Sequence, residues 1–351
     1  MKNLFSIILI LLFACFSSQS KNSALIEAKK LVYVNPEQAI KKADSVMKNT
    51  NSIEIKTAAM ITIINAQLLL GQSKKVIDNC NKVIIWAKES KEPFQEIKLL
   101  SMLGNQYQTM LMTENAKIYL DKAENKMDSI KVPDSLLFLK GNLYNMKGMV
   151  FRDELNCEFA LKYFEKALKV YEIQRNDKLA ITNQALINIQ KGSCLIAQGD
   201  LDKAEECFNK VINSNFNLGN NRYFALISLA EIFIKKGMLN QADDILKNVP
   251  IKELEENDSD LSSQFYSTII SLSLAMDNVK DYNMYLSKYL KYSRIAEQNQ
   301  AKKIDSFIYD SDIKNKESLN KNQKYQISFY LLFSLFLILL LFSIWKRHFQ
   351  G

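Results

Sequence analysis

Apolar positions along the chain between Asn22 and Tyr292 follow a helical period, and short polar turns interrupt them at regular intervals. An alanine that follows such a turn marks the register four times, with spacings of 44, 44 and 38 residues. These marks are Ala116, Ala160, Ala204 and Ala242. Around each mark the large apolar residues are three or four positions apart, which places them on one face of a helix. The pattern predicts antiparallel helix pairs that repeat along the chain.

Small and large residues recur at constant offsets from each mark. A glycine or alanine stands twelve residues before it, and large apolar residues stand nine before it and four after it. Helices that cross closely need small residues at the contact, and large residues fill the space beside it. We therefore predict repeat-packing roles for Gly104, Tyr107, Ala116, Gly148, Phe151, Ala160, Phe164, Gly192, Ala204, Phe208, Ala230, Phe233 and Ala242.

The segment LLSMLGNQYQTMLMTENAKIYLDKA, Leu99 to Ala123, resembles the tetratricopeptide repeat (TPR), a helix-turn-helix unit that stacks into a right-handed superhelical solenoid. With weaker copies around Ala39, Val76 and Tyr282, the resemblance implies an all-α fold of about seven helix pairs over residues 22–292. The low content of 9 Gly and 4 Pro in 351 residues also argues against a β-rich fold with many tight turns. Lys147 and Lys191 depart from the family pattern, which has leucine before the glycine.

The two ends of the chain carry targeting signals. The apolar run LFSIILILLFACF follows Lys2 and is typical of a signal peptide over residues 1–20, with lipidation at Cys15 as an open alternative. Residues 326–345 contain an uncharged run, Ile327 to Trp345, long enough to cross a bilayer as a helix, and a short basic tail follows at 346–351. The positive-inside rule places this tail in the cytoplasm. We expect a single-pass protein of a bacterial inner membrane with its N-terminal body in the periplasm.

Between the solenoid and this membrane helix lies a polar stretch, residues 293–325, rich in Lys, Asn, Asp and Ser. Its isoleucines are too irregularly spaced for a clear heptad pattern. We predict a partly helical stalk, and a homodimer that forms through a coiled coil in the stalk stays an alternative.

The sequence contains few residues that indicate a catalytic, metal-binding or cofactor-binding site. The only histidine, His348, lies beyond the membrane helix, and no phosphate-binding or nucleophile motif occurs, so we expect no catalytic residues, no metal and no cofactor. The net charge of +8 comes from lysines interleaved with acidic residues, which does not indicate direct nucleic-acid binding. The four cysteines after the signal fit no metal motif. Free thiols are favoured, although an exported compartment permits a disulfide whose pair the sequence does not select.

A stacked solenoid exposes one face of its successive first helices as a binding groove. Positions one and four residues after each small residue, and one turn earlier, are expected there. The candidate groove residues are Asn105, Gln108, Asn142, Asn145, Met149, Arg152, Ser193 and Glu231. Such amides suit an extended peptide, so we expect a protein or peptide ligand in the exported compartment. Lys98 and Asn105 are similar to part of the carboxylate clamp of chaperone-binding family members, but the set is incomplete and does not imply chaperone binding.

The order of signal, repeat array, stalk and membrane helix resembles the exported sensory half of membrane-bound regulators of the Bacteroidetes type. In that family a cytoplasmic helix-turn-helix domain of the AraC or LuxR type, or a kinase, follows the membrane helix. Here only six residues follow Trp345. The resemblance implies a membrane-anchored sensor or scaffold without its own output domain. A structural scaffold for envelope assembly, with no signalling role, is the alternative.

Overall fold

A computed structural model describes residues 23–173, 178–302, 304 and 329, and every regular element within them is helical. The helices are α1 (23–31), α2 (Pro36–Lys48), α3 (Ile53–Leu69), α4 (Ser73–Glu89), α5 (Pro93–Thr109), α6 (Thr113–Asp128), α7 (Leu137–Asp153), α8 (Cys157–Glu172), α9 (Lys178–Gln198), α10 (Leu201–Ile212), α11 (Asn220–Lys235), α12 (Leu239–Leu246), α13 (Ile251–Asn257), α14 (Ser259–Ala275) and α15 (279–302). A 3-10 turn, Asp134–Leu136, precedes α7. The all-helical prediction is confirmed.

The helices form seven antiparallel pairs. The first helices are α1, α3, α5, α7, α9, α11 and α14, and the second helices are α2, α4, α6, α8, α10, α12 and α15. From α5 onward each first helix also contacts the first helix of the next pair, so that α5, α7, α9, α11 and α14 form a continuous row. This arrangement confirms a TPR-like solenoid of seven pairs. Its right-handed sense stays a prediction.

Polar residues at the helix starts explain where many helices begin. The side chains of Asn35, Ser52, Asn156, Asp200 and Asp258 each accept a hydrogen bond from the backbone N–H three residues ahead. This capping satisfies a donor that has no partner within the helix. The polar residues of the turns therefore fix the start of each helix and the register of the apolar face behind it.

The first helices end in a repeated left-handed turn. Gly71, Gly199 and Gly237 have φ angles of +66°, +80° and +75°. Leu111 and Leu155 take the same place in the third and fourth pairs, with φ angles of 58° and 59°. In each case the following backbone N–H donates to a carbonyl in the last turn of the first helix, for example Asn156 to Phe151 at 2.9 Å. The turn geometry is therefore kept in pairs that lack glycine.

We expect Leu155→Gly to stabilise the protein. The Leu155 side chain is 91% exposed, so its removal loses almost no burial. A side chain in the left-handed conformation costs about 1–2 kcal/mol. Glycine also has more freedom in the unfolded chain, which offsets part of this difference. We therefore expect the free energy of unfolding to rise by about 1 kcal/mol. Chemical denaturation measures this gain. Leu155→Ala is the matched control, because it removes most of the side chain but keeps Cβ, and a lower stability of the glycine variant than of the alanine variant would contradict the prediction.

The small residues lie where the two helices of a pair touch. A Cβ atom built on Gly104, Gly148 or Gly192 would lie 2.5–2.6 Å from the side chain of Leu120, Phe164 or Phe208, respectively. The register alanines Ala116, Ala160, Ala204 and Ala242 are fully buried, as is Ala230. The rings of Tyr107 and Phe151 stack on Tyr119 and Tyr163 at 5.4 and 5.5 Å, and Phe233 packs against the cores of the last pairs. The close approach of the helices thus depends on the absence of side-chain atoms at these glycines.

Lys147 and Lys191, which depart from the family pattern, point toward the preceding second helix. The Lys147 ammonium donates to Asp121 at 2.6 Å and to Glu124, and it lies 4.9 Å from the centre of the Tyr163 ring. Burial lowers the pKa of Lys147, but the two carboxylates outweigh this effect and leave the pKa raised. Lys191 makes one longer pair with Glu165 at 3.3 Å. A charged residue is therefore accommodated at this position because acidic partners come from the neighbouring pair.

The last helix, α15, packs on α14 and continues past residue 292, where the sequence predicts the end of the solenoid. Tyr292 stacks on Tyr266 at 5.8 Å, and Ile295 packs against the same core. Further along, the Gln300 amide donates to the carbonyl of Thr109, the last residue of α5, at 3.1 Å. The seventh pair is thereby hydrogen-bonded to the third.

Within the residues that the structure describes, no helix is both long and apolar enough to cross a membrane. The predicted signal (1–20) and cytoplasmic tail (346–351) lie outside these residues, and so do the membrane helix (326–345), apart from Phe329, and most of the stalk. The membrane topology stays a prediction.

Candidate functional site

A pocket of about 230 Å³ opens on the first helices of the second, third and fourth pairs. Its polar lining includes Asn65 from α3, Lys98 and Asn105 from α5, and Asn142 from α7. Its apolar lining comprises Leu68, Met102, Phe138, Leu139 and Met146. Amides that can both donate and accept hydrogen bonds thus border a surface that can accommodate an apolar side chain.

A second pocket, of about 340 Å³, adjoins the first toward the N-terminal end. Asn65 and Lys98 line both pockets, and Lys29, Tyr33 and Thr62 are among the other lining residues of the second. The two pockets therefore lie side by side on α1, α3, α5 and α7, and we call them together the first-helix groove.

The first-helix groove is positively charged at its N-terminal end. Burial lowers the pKa of Lys98, and the neighbouring charge of Lys29 lowers it further. Within the described part of the chain neither lysine forms an ion pair. Two like charges without a carboxylate partner are electrostatically unfavourable together, so an anion bound between them would relieve the repulsion.

Asn142 is held in place from behind by α8 of its own pair and, through it, by α9 of the next pair. Its side-chain oxygen accepts a hydrogen bond from the Tyr171 hydroxyl, which in turn accepts one from the Asn183 amide at 3.2 Å. Tyr171 is buried, and burial raises its pKa, so its hydroxyl remains a donor at neutral pH. The hydrogen bond from Tyr171 fixes the orientation of the Asn142 amide, and its N–H groups have no hydrogen-bond acceptor among the described residues.

Gln108 and Arg152 form a separate cluster between α5 and α7. The Gln108 amide donates to Asp153 at 2.6 Å, and the Arg152 guanidinium pairs with the same carboxylate at 3.0 Å. Gln108 is buried. Gln108 thus joins α5 to α7, Arg152 pairs within α7, and neither predicted groove residue lines the first-helix groove.

The remaining predicted groove residues lie elsewhere. Asn145 is buried in α7, Met149 packs against the core of the fourth pair, and the Ser193 hydroxyl donates to the Ile189 carbonyl at 3.1 Å. Glu231 pairs with Lys235 at 3.6 Å. Of the eight candidates, the structure brings only Asn105 and Asn142 together in the groove.

Asn65 is a groove residue that the prediction missed. It stands 40 residues before Asn105, and Val76 stands 40 residues before the register mark Ala116. Applying the distance between Asn105 and its mark Ala116 to the weaker repeat marked by Val76 would therefore have found Asn65. Lys29 and Phe138 have no such repeat signal. Among the described residues, no cluster of His, Cys, Asp or Glu side chains could hold a metal ion.

Comparison with known proteins agrees with this architecture. Residues 185–218 match the family model of the tetratricopeptide repeat. A TPR repeat-containing protein of Methanocaldococcus jannaschii is 24% identical over 264 residues, which cover 72% of this chain and 43% of that protein. This chain therefore spans less than half the length of that relative.

Solved structures share the fold at low sequence identity. NprR in complex with its cognate peptide NprX is 16% identical with a TM-score of 0.52, and the match covers 84% of this chain and 87% of that one. The apo form of RapI is 12% identical with a TM-score of 0.55, covering 80% and 87%. The chain thus contains a tetratricopeptide repeat and folds as a TPR-like helical solenoid, a fold typical of non-enzymatic binding scaffolds.

Proposed function

We propose that the protein binds an extended peptide, or an extended segment of a protein, in the first-helix groove. The observation that carries this proposal is the row of three amides, Asn65, Asn105 and Asn142, on three successive first helices beside one apolar pocket. Asparagine amides pair with the donors and acceptors of a peptide backbone, whose repeat is independent of its sequence. The fold similarity to NprR, which was solved with a bound peptide, supports this function.

The same geometry gives the peptide a preferred direction. Lys29 and Lys98 favour a carboxylate at the N-terminal end of the groove, either the free C-terminus of the peptide or an acidic side chain. Phe138, Leu139 and Met146 favour an apolar side chain at the other end. The ligand class is therefore a short peptide with an apolar residue upstream of an acidic end.

Binding to a defined peptide library tests this function. The full chain in detergent micelles is incubated with immobilised random decapeptides, prepared once with a free C-terminal carboxylate and once amidated, and retained sequences are then titrated by fluorescence anisotropy. We expect retention of peptides of this class. Replacing both Asn105 and Asn142 by alanine removes two hydrogen-bonding groups, which should weaken binding about 10- to 100-fold.

Ser193→Ala with Glu231→Ala is the control double variant, because both residues share the register position of Asn105, one residue after the small residue, but lie outside the groove. This variant should bind like the wild type. Equal affinity of both double variants would refute the assignment of the groove, and a failure of every library peptide to be retained would refute peptide binding. If Lys98 contacts the carboxylate, the wild type should bind amidated peptides more weakly than peptides with a free C-terminus. This difference should disappear in Lys98→Gln.

We further propose that this binding body is exported and anchored in a bacterial inner membrane, as the sensory part of a regulator-like system. Support comes from the apolar runs at both ends of the sequence and from the resemblance in segment order. Digestion of the body by protease added to spheroplasts tests the topology, and protection of the body would contradict it.

A further inference from the structure

Two cysteines face each other across the hairpin formed by α8 and α9. These helices are consecutive, antiparallel and in contact. Cys157 lies 15 residues before the end of α8 at Glu172, and Cys194 lies 16 residues after the start of α9 at Lys178. At about 1.5 Å of rise per residue, both lie at nearly the same height above the connection. The hairpin thus places the two side chains at the same level.

The surroundings of the two thiols differ. Cys194 is fully buried in the core cluster around Phe164, and the half-buried Cys157 packs against that cluster. Burial raises the pKa of the Cys194 thiol to about 12, and contact with the Cys157 thiol contributes to this rise. Both thiols therefore belong to one core cluster at the same level of the hairpin, and both are free in this structure. Cys80 and Cys207 are also free, and the charged groups that act on them are Lys98 for Cys80, and Lys191, Lys210 and Glu206 for Cys207.

We propose that Cys157 and Cys194 form a reversible disulfide that joins the fourth helix pair to the fifth. The oxidant is a small-molecule or protein disulfide. Cys157 is the more accessible thiol and the first residue of α8. Its thiolate attacks the oxidant disulfide, which forms a mixed disulfide and releases one thiolate. Cys194 then loses its proton and attacks the Cys157 sulfur, which closes the protein disulfide and releases the second thiolate.

In this exchange the protein loses two electrons and two protons, and the oxidant is reduced to two thiols. The compartment predicted from the N-terminal signal is one in which disulfide oxidants occur.

The bond would stiffen one wall of the first-helix groove. Tyr171 in α8 and Asn183 in α9 hold Asn142, and the disulfide would fix the relative position of these two helices. The charges of Arg152 and Asp153, in the cluster between α5 and α7, act on the pKa of Cys194 in opposite directions. Oxidation would therefore restrict the motion of Asn142 through the hydrogen bonds that join it to Tyr171 and Asn183.

Oxidised glutathione added to the folded full chain tests the proposal. After free thiols are blocked, non-reducing digestion and mass spectrometry should show a Cys157–Cys194 linked peptide. The thermal midpoint should rise by about 5 °C or more and return after reduction, because the bond closes a loop of nearly forty residues. Cys157→Ser, at the half-buried position, should abolish both effects, and Cys207→Ser should leave both unchanged.

A Cys194→Ser variant should stop at the mixed disulfide, with glutathione attached to Cys157. If the wild type gives only this adduct, or a link between other cysteines, or no change, the proposal is wrong. The mass-spectrometric result on the wild type decides the question even if a variant fails to fold.

Discussion

Gly148→Val is expected to destabilise the protein by about 3 kcal/mol, near the upper end of the range for overpacked cores. Even a Cβ atom at this position would lie 2.5 Å from the Phe164 ring, and valine adds two further carbons. The ring is fully buried in a core cluster, so it can move only if neighbouring side chains shift with it. Helix propensity alone predicts the opposite sign, because most residues are better helix formers than glycine. Urea denaturation of the full chain measures the change.

A compensating substitution separates close packing from other causes. Phe164→Leu leaves room beside Gly148, so the double variant should be less destabilised than the sum of the two single variants predicts. A double-mutant cycle gives this coupling, which we expect to be about 1–2 kcal/mol. Additive effects, or a Gly148→Val protein as stable as the wild type, would show that the helices do not meet at this glycine.

The second large effect is expected for Lys147→Met. The Lys147 side chain is only 8% exposed, and that of Glu124 is 17% exposed. Methionine keeps most of the volume but removes the charge, and among the described residues Glu124 then keeps a long contact to the Tyr163 hydroxyl at 3.4 Å. Breaking a buried pair on one side costs about 3–5 kcal/mol, and the partial exposure of the carboxylates reduces this to about 2–3 kcal/mol.

Lys191→Met is the matched control for this substitution, one repeat further along the chain. Its single pair with Glu165 is longer, and the side chain of Glu165 is 57% exposed. We expect less than about 1 kcal/mol of change here. Equal losses in the two variants would mean that the amphipathic stem of lysine, and not its paired charge, stabilises the fold at this position. Differential scanning calorimetry at constant ionic strength measures both.

The fold was predictable because one physical requirement repeats. Close helix crossings need small residues, so Gly104, Gly148 and Gly192 reveal the register from the sequence alone. The left-handed turns were predictable only where glycine occupies them. Leu111 and Leu155 adopt the same conformation at an energetic cost, which the repeated hydrogen bonds offset. A leucine at these positions does not indicate a left-handed turn in the sequence.

The groove was harder to predict because one residue turns a helix by about 100°. The spacing from the register mark places Asn105 in the groove. Gln108, three positions later, points into the contact between α5 and α7 and donates a hydrogen bond to Asp153. Asn145, one turn after Asn142, is buried in α7. The spacing from the register marks therefore locates groove residues only to within about one helical turn. Which of these residues reach the groove depends on the angle between consecutive first helices, and the sequence does not provide that angle.

Repeat proteins usually behave as one-dimensional chains of neighbours, in which each unit is affected only by the next. The hydrogen bond from Gln300 to Thr109 bypasses three intervening pairs, since it connects positions 191 residues apart. Thr109 lies one helical turn beyond Asn105. The C-terminal end of α5 therefore connects the first-helix groove to the last helix of the body without passing through the units between them, and its amide hydrogen exchange should report on both.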